Sequence, residues 1–144
     1  MNNIIINIDM KKNKKALSRI FKKYDNPEFY LIIDENIVYL SAEFLISNGW
    51  LGEETINQLK DVLLNNLTIM REKWIKFSRE LYPNIQIKKI NGNYKEIIEK
   101  IIEEKNIDEL IITFKKDFNP YWNILKYIFE NISKKYKVKI TIIN

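Results

Sequence analysis

The chain has 144 residues, with 24 Lys and Arg against 19 Asp and Glu, a net charge of +5, and it contains no His, no Cys and only three Gly. This length fits a single domain spanning residues 1–144. Without His or Cys, the chain excludes Ser-His-Asp and Cys-His catalysis, thiol redox chemistry and ordinary zinc sites. Three scattered glycines exclude a Walker loop and a dinucleotide fingerprint. The composition therefore predicts a protein that is not an enzyme.

Ile, Lys and Asn are abundant in the way that an AT-rich genome favours, so the positive charge is weak evidence for a polyanionic partner. No apolar stretch approaches the roughly 20 residues of a membrane helix. The apolar run over residues 4–8 is interrupted by Asn7 and lacks the features of a signal peptide. We therefore expect a cytoplasmic protein without a membrane partner.

The first third of the chain predicts a strand, a helix and a second strand. Residues 4–8 form a β-branched run closed by Asp9, which is typical of a strand buried on both faces of a parallel sheet. Apolar residues then recur at helical spacing over residues 13–24. Residues 29–33 predict the second strand, which residues 37–40 extend or restart.

The middle of the chain predicts one long helix. Residues 41–51 show no clean period, so we expect a connection or short helix packed over the sheet, with Trp50 either in an interface or plugging the core. Gly52, followed by two glutamates, resembles a helix start. The apolar stripe that follows advances by three or four residues each time and consists of Ile56, Leu59, Leu63, Leu67, Met70, Trp74, Phe77 and Leu81.

The last third predicts three further strands separated by two helices. Asn93 stands three residues before Glu96, which is the spacing of a capping box, and Asn119-Pro120 is typical of a helix start. The three strands are predicted around residues 85–90, 110–112 and 138–143.

Strands that alternate with helices favour right-handed crossovers and a parallel sheet covered on both faces. The pattern therefore predicts an α/β fold with three α/β/α layers and an open five-stranded parallel sheet in the order 3-2-1-4-5, Rossmann-like or flavodoxin-like.

The order and spacing of these elements resemble the universal stress protein family over nearly the whole chain. The resemblance includes the strand that ends at Asp9, the helix start Lys15-Ala16-Leu17, the turn Asn91-Gly92-Asn93 and the strand at residues 108–112. It implies a dimeric protein of stress response or regulation, with an unidentified protein partner. In ATP-binding members, a glycine-rich motif follows the fourth strand.

That motif is absent here. The positions of its three glycines and its Ser or Thr hold Phe114, Asp117, Tyr127 and Ile128. Bulky side chains block the close backbone approach that glycine allows, and an Asp repels phosphate. We therefore expect no cofactor and disfavour ATP, although an ATP- or nucleotide-binding switch remains the alternative.

Ligands of open α/β sheets bind beyond the carboxyl ends of the strands, where the strand order reverses. Lysines there either hold an anion or are merely solvated. Asp9 matches the nucleotide-contacting acid of the family, or it caps the following turn. The candidate cleft at the ends of strands 1 and 4 consists of Asp9, Lys11, Lys12, Phe114, Lys115, Lys116 and Asp117.

Two other charged clusters carry weaker hypotheses. The lysines around the first helix suggest a nucleic-acid binder, which we disfavour because no exposed aromatic platform accompanies them. We expect the acidic side chains of Glu103, Glu104, Asp108 and Glu109 to be solvated charges near a helix end rather than a metal site.

The last predicted strand sits at a sheet edge and carries the apolar residues Val138, Ile140 and Ile142. An uncovered apolar edge strand offers unpaired N–H and C=O groups to another chain. Since universal stress proteins commonly dimerise through this strand, both arguments predict a homodimer.

Overall fold

The computed structural model describes residues 2–49, 55–115 and 119–144. In these ranges, helices separate successive strands, and two helices in a row connect the second strand to the third. The elements are β1 (Asn3–Asn7), α1 (Lys14–Lys23), β2 (Glu28–Ile33), α2 (Glu35–Ser47), α3 (Ile56–Leu81), β3 (Gln86–Asn91), α4 (Tyr94–Lys105), β4 (Glu109–Thr113), α5 (Pro120–Tyr136) and β5 (Lys139–Ile143).

The five strands form one parallel sheet in the order β3-β2-β1-β4-β5, which confirms the predicted topology. Ile5 at its centre pairs with Phe29 of β2 and with Ile111 of β4. The strand order reverses between β1 and β4, so their carboxyl ends form the switch point of the sheet.

Helices cover both faces of the sheet. On one face, Ile5 and Leu31 pack beneath α1 and α3, with Trp74 in this core. On the other face, Ile6 and Ile112 pack beneath α4 and α5. Since both faces of the central strands are buried, their sequences are continuously apolar rather than alternating.

The expectation that residues 37–40 extend the second strand is wrong, because they form the first turns of α2. The Asp34 carboxylate caps this helix by accepting hydrogen bonds from the backbone N–H groups of Asn36 and Ile37. α2 packs against both α3 and α5 at the carboxyl edge of the sheet. A helix that is apolar nearly all round shows no clear helical period, which is why its sequence resembled a strand.

The other helix starts follow local sequence signals. Thr55 and Gln58 form a capping box at the start of α3, while the predicted start at Gly52 and the residue Trp50 lie outside the described residues. Asn93 accepts a hydrogen bond from the Glu96 backbone N–H, and Asn119 caps α5 ahead of Pro120. These caps confirm the predicted starts of α4 and α5.

Candidate functional site

Asp9 lies just beyond the end of β1 and is 2% exposed. Its carboxylate accepts hydrogen bonds from the backbone N–H of Lys115 at 2.8 Å, the side-chain amide of Asn119 at 3.1 Å and the backbone N–H of Lys11 at 3.1 Å. Burial raises the pKa of Asp9, and the hydrogen bonds from Lys115 and Lys11 oppose this rise. Asp9 therefore links the end of β1, through hydrogen bonds, to the residue Lys115 after β4 and to the cap residue Asn119 of α5.

Aromatic and apolar side chains fill the space around Asp9. The buried ring of Phe114 stacks on Trp122, with 5.0 Å between the ring centroids. Met10 is also buried, in a left-handed conformation with φ of 56°, and its N–H donates to Asn7 Oδ1. The void that remains beside Asp9 and Phe114 measures about 10 Å³. This space admits at most a single water molecule.

Three lysines of the predicted cleft line a groove on its outer side. Lys11, Lys12 and Lys115 line an open groove of about 300 Å³ together with Lys73 of α3. None of the four makes an ion pair with a carboxylate of the described residues. Four ammonium groups along one groove give it a positive potential that attracts anions. Lys73 was not predicted, because its position depends on how α3 packs against the sheet.

Two predicted members of the cleft, Lys116 and Asp117, lie outside the described residues. Of the other positions compared with the glycine-rich motif of universal stress proteins, Tyr127 is exposed on α5 and Ile128 packs partly buried against the core. These two side chains therefore lie on the α5 layer.

One acid of the cluster read as solvated charge is instead buried. Glu109 accepts hydrogen bonds from the hydroxyl groups of Thr141 at 2.6 Å and Tyr24 at 3.3 Å. The expectation of a solvated charge was wrong for Glu109, because this residue lies in β4, which is flanked by β1 and β5 inside the sheet.

Among the residues that the structure describes, no group of three or more acids is arranged to hold a metal ion.

The edge strand β5 presents less apolar surface than its sequence suggests. Val138 precedes the strand and is 3% exposed, and Ile140 is partly buried against the core. Ile142 is 46% exposed.

Within the described ranges, no helix is long and apolar enough to cross a membrane.

A cavity that sequence reasoning missed lies at the carboxyl ends of β2 and β3. It encloses about 510 Å³, and its lining includes Asp34, Gly92, Asn93 and Arg71. The sequence did hold a signal, because Arg71 stands four residues after Leu67 and three before Trp74, inside the apolar stripe of α3.

The topology and the switch-point site define a three-layer α/β protein with an open parallel sheet. Among solved structures, the chain is similar to the hypothetical protein MJ0577, whose study is described as a structure-based assignment of biochemical function and a test case of structural genomics. The TM-score is 0.53 at 22% sequence identity, and the match covers 99% of this chain and 94% of that chain. At this identity the likeness establishes the fold. No family model and no curated protein matches the chain.

Proposed function

We propose that this chain is a universal-stress-protein-like protein of regulation or interaction that catalyses no reaction and does not bind ATP in the family's cleft. The packing around Asp9 carries this proposal, because the void that Asp9 and Phe114 share with the buried side chains of α1 measures only about 10 Å³. A nucleotide would have to displace the stack of Phe114 on Trp122 and compete with three hydrogen bonds to Asp9. Both changes remove packing and polar contacts of the folded state.

The absence of His and Cys supports the proposal that the protein catalyses no reaction. Asp9, the buried acid of the cleft, accepts hydrogen bonds from backbone and amide donors, and no nucleophilic side chain of the described residues is hydrogen-bonded to it. General acid–base catalysis requires a group within hydrogen-bond reach of the reacting atom. We propose that the protein acts by binding an unidentified protein partner in the cytoplasm.

The experiment is to purify the full chain and analyse it for bound nucleotide by absorbance and chromatography, followed by calorimetric titration with magnesium ATP. We expect no co-purified nucleotide and no saturable heat. Stoichiometric ATP in the purified protein would overturn the proposal.

The lysine groove supports a second candidate, a switch that binds nucleotide phosphates on its outer side. Lys11, Lys12, Lys73 and Lys115 supply cations without carboxylate partners among the described residues. If ATP does bind, this candidate requires that Lys12→Gln with Lys115→Gln abolish the binding. Lys126→Gln, a change on α5 outside the groove, is the matched control. Duplex DNA binding that weakens steeply with salt and depends on the same two lysines would instead favour the disfavoured nucleic-acid role.

We also propose a homodimer in which β5 of two chains meet. β5 is an edge strand of the sheet, so its outer N–H and C=O groups have no partner strand. The exposed side chain of Ile142 adds apolar surface at the same edge. Pairing of two such edges satisfies the backbone groups and covers Ile142.

A further inference from the structure

The cavity at the carboxyl ends of β2 and β3 is separate from the cleft beside Asp9. The N-termini of α2 and α4 form one wall, and the middle of α3, with Leu64, Thr68 and Arg71, forms the other. Its volume of about 510 Å³ lies within the range of sites for small molecules.

Arg71 is the unusual residue of this cavity. It is 6% exposed, and its Nη1 donates to Asn91 Oδ1 at 2.7 Å and to the Ile90 carbonyl oxygen at 3.4 Å. Its Nε is buried and has no hydrogen-bond partner among the described residues. No carboxylate of the described residues lies within 4.0 Å of the guanidinium.

Buried arginines normally have an anionic partner, because removing an uncompensated charge from water is strongly unfavourable. The neutral oxygens of Asn91 and Ile90 satisfy the hydrogen bonds of one nitrogen, and the negative charge of Glu72 acts on the guanidinium only from beyond ion-pair distance, so no described carboxylate pairs with it directly. Arginine presents its donors in a planar fork that matches a carboxylate or a phosphate. The geometry at Arg71 is therefore that of a receptor for an oxyanion.

Two asparagine side chains add neutral donors to the lining of this cavity. The Oδ1 of Asn91 accepts from Arg71, and the Oδ1 of Asn93 accepts from the Glu96 backbone N–H. Since the oxygens of both amides are already engaged, their NH₂ groups remain as the available donors. Both residues line the cavity.

The opposite wall of the cavity is acidic. The carboxylate of Asp34 accepts three hydrogen bonds, from the backbone N–H groups of Asn36, Ile37 and Tyr94, of the roughly four that a carboxylate can accept. Glu35 beside it is exposed and makes no ion pair with a described residue. Acids on this wall suit hydroxyl or ammonium groups of a ligand, whereas Arg71 on α3 suits its oxyanion.

We propose that this cavity binds a small polar molecule whose carboxylate or phosphate pairs with Arg71 and whose hydroxyl or ammonium groups face Asp34 and Glu35. The site does not depend on the closed nucleotide cleft, so either proposal can fail without the other.

The test is titration of the isotopically labelled protein with inorganic phosphate, acetate and glycerol 3-phosphate, observed through backbone amide NMR shifts. We expect saturable shifts at Thr68, Gly92 and Asn93. A response to phosphate and glycerol 3-phosphate alone assigns a phosphate ligand, and a response to acetate alone assigns a carboxylate ligand. Arg71→Gln should weaken binding at least about tenfold, because it removes the charged partner of the oxyanion. Arg79→Gln, at an exposed arginine of the same helix, should leave it unchanged.

Thr68→Leu provides a second variant in case Arg71→Gln fails to fold, since it narrows the cavity from an exposed position and retains the arginine. It should also abolish the saturable shifts. The proposal is overturned if none of the three probes gives saturable shifts, if the shifts map to the lysine groove, or if Thr68→Leu binds as tightly as the natural protein.

Discussion

The carboxylate of Asp34 accepts a hydrogen bond of 2.8 Å from the backbone N–H of Tyr94, 60 positions later in the chain. The same side chain accepts from the N–H groups of Asn36 and Ile37 in its own helix start. One acid therefore satisfies unpaired donors at the N-termini of both α2 and α4, and its negative charge complements both helix dipoles.

We expect Asp34→Ala to lower the free energy of unfolding by about 2–4 kcal/mol, because it removes one helix cap and a further charged hydrogen bond. Asp34→Asn should cost about half as much, because its amide retains one accepting oxygen. Urea unfolding followed by circular dichroism measures both changes. Asp25→Ala, at an exposed acid, is the control and should stay within about 0.5 kcal/mol of the natural protein. Equal losses in Asp34→Ala and Asp25→Ala would contradict the double cap.

The hydroxyl of Tyr94 is buried without a hydrogen-bond partner among the described residues. Burial, with the nearby charges of Asp34 and Asp9, raises the pKa of Tyr94. Because an unsatisfied hydroxyl carries a desolvation cost, Tyr94→Phe should leave the unfolding free energy unchanged or raise it by about 1 kcal/mol.

Tyr30→Phe is the matched comparison. The Tyr30 hydroxyl donates to Glu28 and receives a hydrogen bond of 3.1 Å from Lys105. Its removal should lower the unfolding free energy by about 1 kcal/mol, as measured by the same urea unfolding. A larger loss for Tyr94→Phe than for Tyr30→Phe would show that the Tyr94 hydroxyl has a stabilising partner.

Glu28 makes stability depend on acid pH. Partial burial alone would raise its pKa, but hydrogen bonds from Lys105, Tyr30 and Lys88 lower the pKa of Glu28 to about 2. A carboxyl group whose pKa is lowered by folding contributes stability above its unfolded pKa of 4.5, and this contribution is lost as the pH falls towards 2.

The difference in unfolding free energy between the natural protein and Glu28→Gln should therefore shrink between those two pH values. Its full size should be on the order of 1 kcal/mol after allowance for solvent screening. Chemical unfolding at a series of pH values measures it. Glu104→Gln, which removes an exposed pair with Lys100 at 3.9 Å, should have little effect. A Glu28→Gln difference that stays constant with pH would contradict this assignment.

The dimer proposal predicts that Ile142→Lys converts the protein to a monomer, because a charged side chain at the β5 edge opposes its burial against a second copy. Light scattering after size exclusion, at tens of micromolar protein, measures the mass. Ile69→Lys alters an exposed isoleucine on α3 and should leave the dimer intact. A monomeric natural protein, or a dimeric Ile142→Lys variant, would remove β5 from the interface.

Local sequence determined most of the fold. The apolar runs of β1, β2 and β4 predicted strands, and they are continuous because these strands are covered on both faces of the sheet. The caps Asn93 and Asn119 marked helix starts by bonds within three residues. The tertiary structure decided where α2 lies, since burial between α3 and α5 conceals its helical period. The tertiary structure also decided which side chains form each site. The sequence placed an arginine in an apolar stripe, but only packing brings Asn91 to Arg71 and leaves its Nε buried without a hydrogen-bond partner among the described residues, because long-range contacts carry no local signal.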